Sequence, residues 1–238
     1  MIFANSLVQG FFESSVVGQA MVVIQLLFSV WMIAVAIGKH REITHKSEEL
    51  KRFENDFASY QDVLGYYINR RPSGRDGINQ IYVTTCERLI RLVSPDMRAM
   101  LAGHQTNTTP RALTAVEIEL IRSTTEHSLE MQLISLEGKM WMITAVVAAA
   151  PMIGLLGTVW GVLDAFAVMG REATANLAAI APSISSALVT TVVGLIIALP
   201  GIFIAHWLNQ RLRRVSERYE SFAEEIISRI ACEFQGCN

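Results

Sequence analysis

Three stretches of the chain are almost free of charged side chains, and strongly polar segments separate them. Residues 14–38 and 173–210 contain no Asp, Glu, Lys or Arg, and residues 140–170 contain only Asp164. Each stretch exceeds the ~20 residues that a helix needs to cross a bilayer. The pattern therefore predicts an all-α integral membrane protein with long cytoplasmic helical extensions. Its three transmembrane helices are placed at residues 16–38, 140–169 and 183–207.

The polar segments complete the predicted topology. The short connection between the second and third spans makes them antiparallel neighbours. Apolar residues at helical spacing predict mostly helical structure in the segment before the second span and after the third. The remaining regions are an outer N-terminus or interfacial helix at residues 1–15, a cytoplasmic helical domain at 39–139, an outer connection at 170–182 and a cytoplasmic helix at 208–238.

The helix before the second span has two boundary signals. Thr109 followed by Pro110 resembles an N-cap with proline at the first helical position, which predicts a helix start there. Gly138 is the only stop signal before the membrane, so the sequence allows this helix to run directly into the second span.

Lys and Arg lie mainly on one side of the predicted membrane. Residues 1–15 contain neither, and residues 170–182 contain only Arg171, whereas five of them fall within residues 39–52 and four within residues 211–218. Because cytoplasmic flanks carry the excess of Lys and Arg, the N-terminus is predicted outside and the C-terminus in the cytoplasm.

Small residues recur at steps of three and four along the second and third spans, so each set lies on one helix face. In lipid such faces let helices approach closely, while hydroxyls bond across the contact. Thr158 and Thr191 lie in these faces, about 16 and 12 Å from the outer ends of their helices. The small-residue seam, which either lines a pore or only packs helices, comprises Pro151, Gly154, Gly157, Gly161, Ala187, Gly194 and Ala198.

Other polar side chains lie near the seam. Ser183, Ser186 and Thr190 form a candidate polar pore strip beside Thr191. Asp164 is the only carboxylate within a predicted span, where it either lines the outer mouth of a path or simply reaches interfacial water. Hydroxyls do not titrate near neutral pH, so a proton-handling function would need a titrating carboxylate from elsewhere.

Composition excludes several classes of protein. The net charge of −2 gives no indication of nucleic-acid binding, and the three cysteines are expected to be reduced thiols. No nucleotide loop, H-E-x-x-H, G-x-S-x-G or paired Cys/His ligand set is present, so neither an enzyme nor a cofactor or metal site is expected.

Residues 151–161 read P-M-I-G-L-L-G-T-V-W-G. This run resembles the P-x-x-G-L-x-G-T-V-W-G signature of the TolQ/ExbB family, proton-channel subunits related to flagellar MotA. The third span resembles the family motif at Ala181–Ile184, Ala187, Thr191, Gly194 and Pro200, and residues 208–225 look more like the TolQ branch.

The resemblance implies a homopentamer in the bacterial inner membrane. Its second and third spans would line a pore that holds the single transmembrane helices of a TolR- or ExbD-like partner, each with an essential aspartate. Protons driven by the membrane potential would pass that aspartate, and the motion would reach a TolA- or TonB-like protein in the periplasm. The family's pore threonines fall on Thr158 and Thr191.

One position departs from the family pattern. Many members carry a glutamate where this chain has Ser186, which cannot titrate in its place. The proton route and the coupling ion are therefore left open, with Asp164 as a candidate that compensates at the outer mouth. A flagellar-type stator, which usually has four spans, and a passive helical scaffold without an ion path are the alternatives.

Overall fold

The computed structural model describes residues 16–60, 62–70, 77–93, 112–171 and 177–235. Over these residues the regular elements are all helices, which confirms the predicted fold class. The interfacial helix predicted at residues 1–15 lies outside the described residues. The helices are α1 Val16–Ala58, α2 Val63–Arg70, α3 Gly77–Leu92, α4 Ala115–Glu137, α5 Met140–Arg171 and α6 Leu177–Gln235.

Three of the described helical stretches are long and apolar enough to cross a membrane. These stretches are Val16–Ala58 in α1, Ala115–Gly170 across α4 and α5, and Ser183–Phe234 in α6. Their outward-facing positions are large and apolar, for example Met152, Leu163 and Phe166 of α5 and Phe203 of α6. Such surfaces suit lipid or another apolar helix rather than water.

The chain forms two compact units, and the first comprises residues 1–40 and 139–209. Its buried positions are mostly small or polar. Ala150, Ala165, Ala187, Ala198, Ser186 and Thr190 are buried there, together with Gln25 and Met32 of α1. Close backbone packing rather than bulky side chains therefore holds this unit together.

The second unit comprises residues 41–138 and 210–238 and has an aromatic core. The ring of Phe53 meets those of Tyr66, Tyr82 and Phe222 edge-on, at centroid distances of 5.2, 5.3 and 5.4 Å. The Tyr82 hydroxyl donates to the Val63 carbonyl. Burial in this core is the main factor that raises the pKa of the Tyr82 phenol well above its ordinary value. These contacts give this unit a core of its own.

The start of α4 corrects one prediction. Thr109 and Pro110 lie outside the described residues, but the helix begins only at Ala115, so the predicted start at Thr109–Pro110 is wrong. Thr114 is the N-cap: its side chain accepts from the backbone N–H of Glu117, whose carboxylate accepts from the Thr114 N–H at 2.8 Å. This capping box satisfies donors that a helix N-terminus leaves unpaired.

The sequence left open whether α4 runs directly into the second span, and the structure interrupts the helical stretch Ala115–Gly170 at two residues. The chain leaves helical geometry at Gly138 and Lys139, and Lys139 has φ +70°, in the left-handed region. The Gly138 N–H donates to the carbonyls of Ile134 and Ser135, and α5 begins anew at Met140. The single stop signal visible in the sequence is therefore sufficient to end the helix.

The cysteines differ from one another. Cys232 is disulfide-bonded, so the expectation of a reduced thiol is wrong at that position. Cys86 is a fully buried free thiol, and burial raises its pKa to about 12.

Candidate functional site

The small-residue seam is the contact surface between α5 and α6. A Cβ added to Gly154 would lie 2.8 Å from Thr191 Cα, and one added to Gly161 would lie 2.5 Å from Ala187 Cβ. Carbon atoms pack at about 3.5–4.0 Å, so neither glycine leaves room for a side chain. The opposed pairs run in reverse order along the two helices, which therefore pack antiparallel.

The contact continues toward the other end of the helices. A Cβ on Gly194 would lie 2.6 Å from the Ala150 carbonyl oxygen, and one on Gly201 would lie 2.7 Å from Val147 Cγ2. The spacing of three and four residues in the sequence predicted this face, and the structure brings the glycines of both helices into it.

The two seam threonines have different partners. The Thr191 hydroxyl donates across the helix contact to the Gly154 carbonyl at 2.8 Å. The Thr158 hydroxyl donates within its own helix to the Leu155 carbonyl at 2.7 Å. Both side chains are half-buried in the single chain. The two acceptors, Gly154 and Leu155, are consecutive residues of α5, so the two hydroxyls bond to neighbouring carbonyls that are ~1.5 Å apart along the helix axis.

The candidate polar strip lies partly inside this contact. Thr190 is fully buried and faces Gly157, and its one hydroxyl proton is shared between the carbonyls of Ala187 at 2.7 Å and Gly154 at 3.1 Å. Ser186 is buried and donates to the Ser183 carbonyl at 2.9 Å, and Ser183 itself is half-buried. Within the chain, Thr190 therefore takes part in the packing of α6 against α5, whereas the hydroxyl of Ser186 bonds within α6.

Two other candidates lie on α5. Pro151 is inside the helix, where its missing N–H leaves the carbonyl one turn earlier without its usual intrahelical donor. Asp164 is half-buried and lies about one turn beyond Gly161 and nearly two turns beyond Thr158. No described group of three or more His, Cys, Asp or Glu side chains has an arrangement that would hold a metal ion.

The sequence reasoning missed Gln25. This side chain of α1 is fully buried, and its Nε2 donates to the Ala150 carbonyl at 3.1 Å and the Thr190 carbonyl at 3.3 Å. Two amides, Gln19 and Gln25, in a span without charges were the available signal, since amides commonly bond between membrane helices. The first span therefore contacts both α5 and α6 directly.

Hydroxyls and backbone carbonyls make up the chemistry of this site. Such groups can orient a water molecule or a protonated acid, but they do not take up and release protons near neutral pH. The site is suited to accompany a titrating group and to pack closely against another helix.

Comparison with known proteins adds three findings. A family model described as the MotA/TolQ/ExbB proton channel family matches residues 92–221. The Tol-Pal system protein TolQ of Haemophilus influenzae is 30% identical over 220 residues, which cover 90% of this chain and 89% of that protein. TolQ of Pseudomonas aeruginosa is 26% identical over 226 residues, 89% of each chain.

The similarity to the other branch is shorter. The biopolymer transport protein ExbB of Xanthomonas campestris is 33% identical over 91 residues, which cover 38% of this chain and 36% of that protein. The likeness to TolQ proteins thus extends over nearly the whole chain, whereas the likeness to this ExbB is confined to about a third of it.

Proposed function

Because the chain belongs to the MotA/TolQ/ExbB proton channel family, we propose that it is the channel subunit of a Tol-Pal-type system that couples the proton motive force to work on the cell envelope. The observation that carries the choice of system is the length of the similarity, which covers 90% of the chain for a TolQ protein and 38% for an ExbB protein. A TonB-type system remains the alternative within the family.

The proposed proton path runs past Thr158 and Thr191. Their hydroxyls bond to the carbonyls of two consecutive residues, Leu155 and Gly154, on a helix pair whose backbones are in contact. Since neither hydroxyl titrates, the proton carrier is a carboxylate on a TolR- or ExbD-like partner with a single transmembrane helix. The small residues of the seam keep the two helices together behind that partner helix.

Several copies of the chain are needed to enclose such a partner. The exposed apolar side chains of α5 and α6, among them Leu155, Leu188 and Phe203, provide surfaces for neighbouring copies and for lipid. We propose a homopentamer in the inner membrane, with the N-terminus in the periplasm and the C-terminus in the cytoplasm. A TolA-like protein that spans the periplasm would receive the motion.

Asp164 and Ser183 are proposed to lie near the outer mouth of the path. Both are half-buried, and Asp164 is the only carboxylate of α5. If Asp164 relays protons, Asp164→Asn should reduce proton-coupled function. Undiminished function in that variant would exclude the role.

Replacement of the threonines tests the proposal. In cells that carry Thr158→Ala or Thr191→Ala, we expect loss of energised envelope function, measured as leakage of a periplasmic enzyme, with normal amounts of assembled protein. Thr144→Ala is the matched control, because Thr144 lies on the same helix and its hydroxyl likewise donates to the carbonyl three residues earlier, at 2.9 Å.

The alternatives predict other results. Full activity of both threonine variants would rule out the proposed path and favour a passive scaffold. Purification of the wild-type chain provides a second test, since a channel subunit should carry a bound single-span protein with an intramembrane Asp. A flagellar-type stator would instead be recognised by binding to a rotor through its cytoplasmic unit.

A further inference from the structure

Gln25 occupies the point where three helices of the first unit meet. Its Nε2 lies within hydrogen-bond distance of the carbonyls of Ala150 on α5 and Thr190 on α6. A Cβ added to Gly194 would lie 3.0 Å from the same nitrogen, and one added to Gly154 would lie 3.4 Å from it. Glycines on both helices thus leave the space that the amide fills.

The orientation of this amide is determined by its surroundings. Both neighbouring groups are carbonyl oxygens, which only accept, so the NH₂ group rather than the oxygen must face them. The two N–H donors of Nε2 then have one carbonyl each. A side chain without a donor could make neither contact.

The remaining polar atom of Gln25 is its oxygen. Oε1 is buried and makes no hydrogen bond to any of the residues that the structure describes. A buried unpaired acceptor is costly, and hydrogen bonds between membrane helices contribute little on average. The gain from the two bonds and the cost of the unpaired oxygen therefore nearly cancel, so the net contribution of this amide to stability is small.

Its position next to Thr191 suggests a different role. Thr190, whose carbonyl accepts from Gln25, directly precedes Thr191, and the hydroxyls of both threonines donate to Gly154. Gly154 in turn lies one turn after Ala150, the other carbonyl that Gln25 holds. The amide therefore fixes the local register of α5 against α6 on both sides of the Thr191–Gly154 bond.

We propose that Gln25 is a positioning residue that holds the Thr191 hydroxyl on the Gly154 carbonyl, so that the first span takes part in the proton path through the other two. The proposal rests on the proposed function, because the placement of Thr191 affects activity only if that hydroxyl accompanies the proton. It assigns to α1 a role beyond that of a surface facing lipid.

The test compares Gln25→Met, which is similar in size but has no amide, with Gln19→Met, which changes the other glutamine of the same span. Three quantities are measured on the full chain: unfolding in detergent, envelope function in cells, and the ¹³C resonance of the Thr191 side chain in bilayers. That resonance is assigned by its absence from the spectrum of the Thr191→Val variant.

We expect Gln25→Met to unfold like the wild type, to shift the Thr191 resonance and to lower envelope function roughly tenfold or more, since small misplacements of a functional group have large effects on rate. Gln19→Met, six residues earlier in the same helix, should leave the Thr191 resonance and envelope function unchanged. A parallel loss of stability and function in Gln25→Met would show a merely structural role and overturn the proposal, as would an unshifted resonance or unchanged function.

Thr191→Val separates this proposal from the proposed function. If Thr191→Val keeps full envelope function, the proposed proton path itself is wrong. If Thr191→Val loses function while Gln25→Met retains it, only the role of Gln25 is wrong.

Discussion

Replacement of Gly157 by alanine tests how strictly the structure limits the helix contact. The added Cβ would lie 2.2 Å from Thr190 Oγ1 and 2.7 Å from Thr190 Cβ. Because Thr190 Cβ is attached directly to the backbone, a change of rotamer cannot move it away. Restoring an ordinary carbon–carbon distance would require the helices to separate by about 1 Å.

The energetic effect follows from this separation. Overpacking of this kind costs about 1–3 kcal/mol. The bond from Thr190 to Gly154, now 3.1 Å, would also be stretched beyond hydrogen-bond distance, at a further cost of about 0.6 kcal/mol. The higher helix propensity of alanine offsets about 1 kcal/mol of this destabilisation.

Gly38→Ala is the matched control, because a Cβ at Gly38 meets nothing within 4 Å and the residue also lies inside a helix. The propensity gain is common to both variants, so Gly157→Ala should be less stable than Gly38→Ala by about 2–4 kcal/mol. Unfolding in mixed detergent micelles, followed by the fluorescence of the four tryptophans, measures this difference. Equal stability of the two variants would refute the close contact at Gly157.

Three further predictions concern the second unit. Native Cys86 should react with iodoacetamide at pH 8 at least about a hundredfold more slowly than after unfolding, because burial raises its pKa to about 12; equal rates would contradict its burial. Thr114→Ala should destabilise the unit by about 1 kcal/mol through loss of the capping box, whereas Thr124→Ala in the same helix should not. Burial and the nearby Asp62 raise the pKa of Glu233, so the folded state binds its proton more tightly. Stability relative to Glu233→Gln should therefore fall as the pH rises through that raised pKa, and an unchanged difference across pH 4–8 would disprove the shift.

The sequence allowed prediction of the helices and of the face on which α5 and α6 meet. The step of three and four residues between Gly154, Gly157 and Gly161 defines that face without reference to a partner helix. Antiparallel packing followed from the short connection between the spans. Both features depend on local periodicity, which a single sequence contains.

Contacts between distant residues could not be predicted in the same way. Nothing in the sequence pairs Gln25 with Ala150, because their hydrogen bond depends on how α1 crosses the other helices. Thr190 and Thr191 are adjacent, and only the crossing of α5 and α6 makes the former fully buried and the latter half-buried. The helix start at Thr114 was missed because Thr109–Pro110 carries an equally plausible local signal.

Proton uptake into vesicles that contain the chain with its single-span partner tests the proposed path most directly. With an imposed membrane potential, Thr191→Ser, which keeps the hydroxyl, should retain most of the wild-type uptake. Thr191→Val, which keeps the shape of threonine but cannot donate to Gly154, should lose it although the complex assembles normally. Equal uptake by the serine and valine variants would show that protons cross without the help of this hydroxyl.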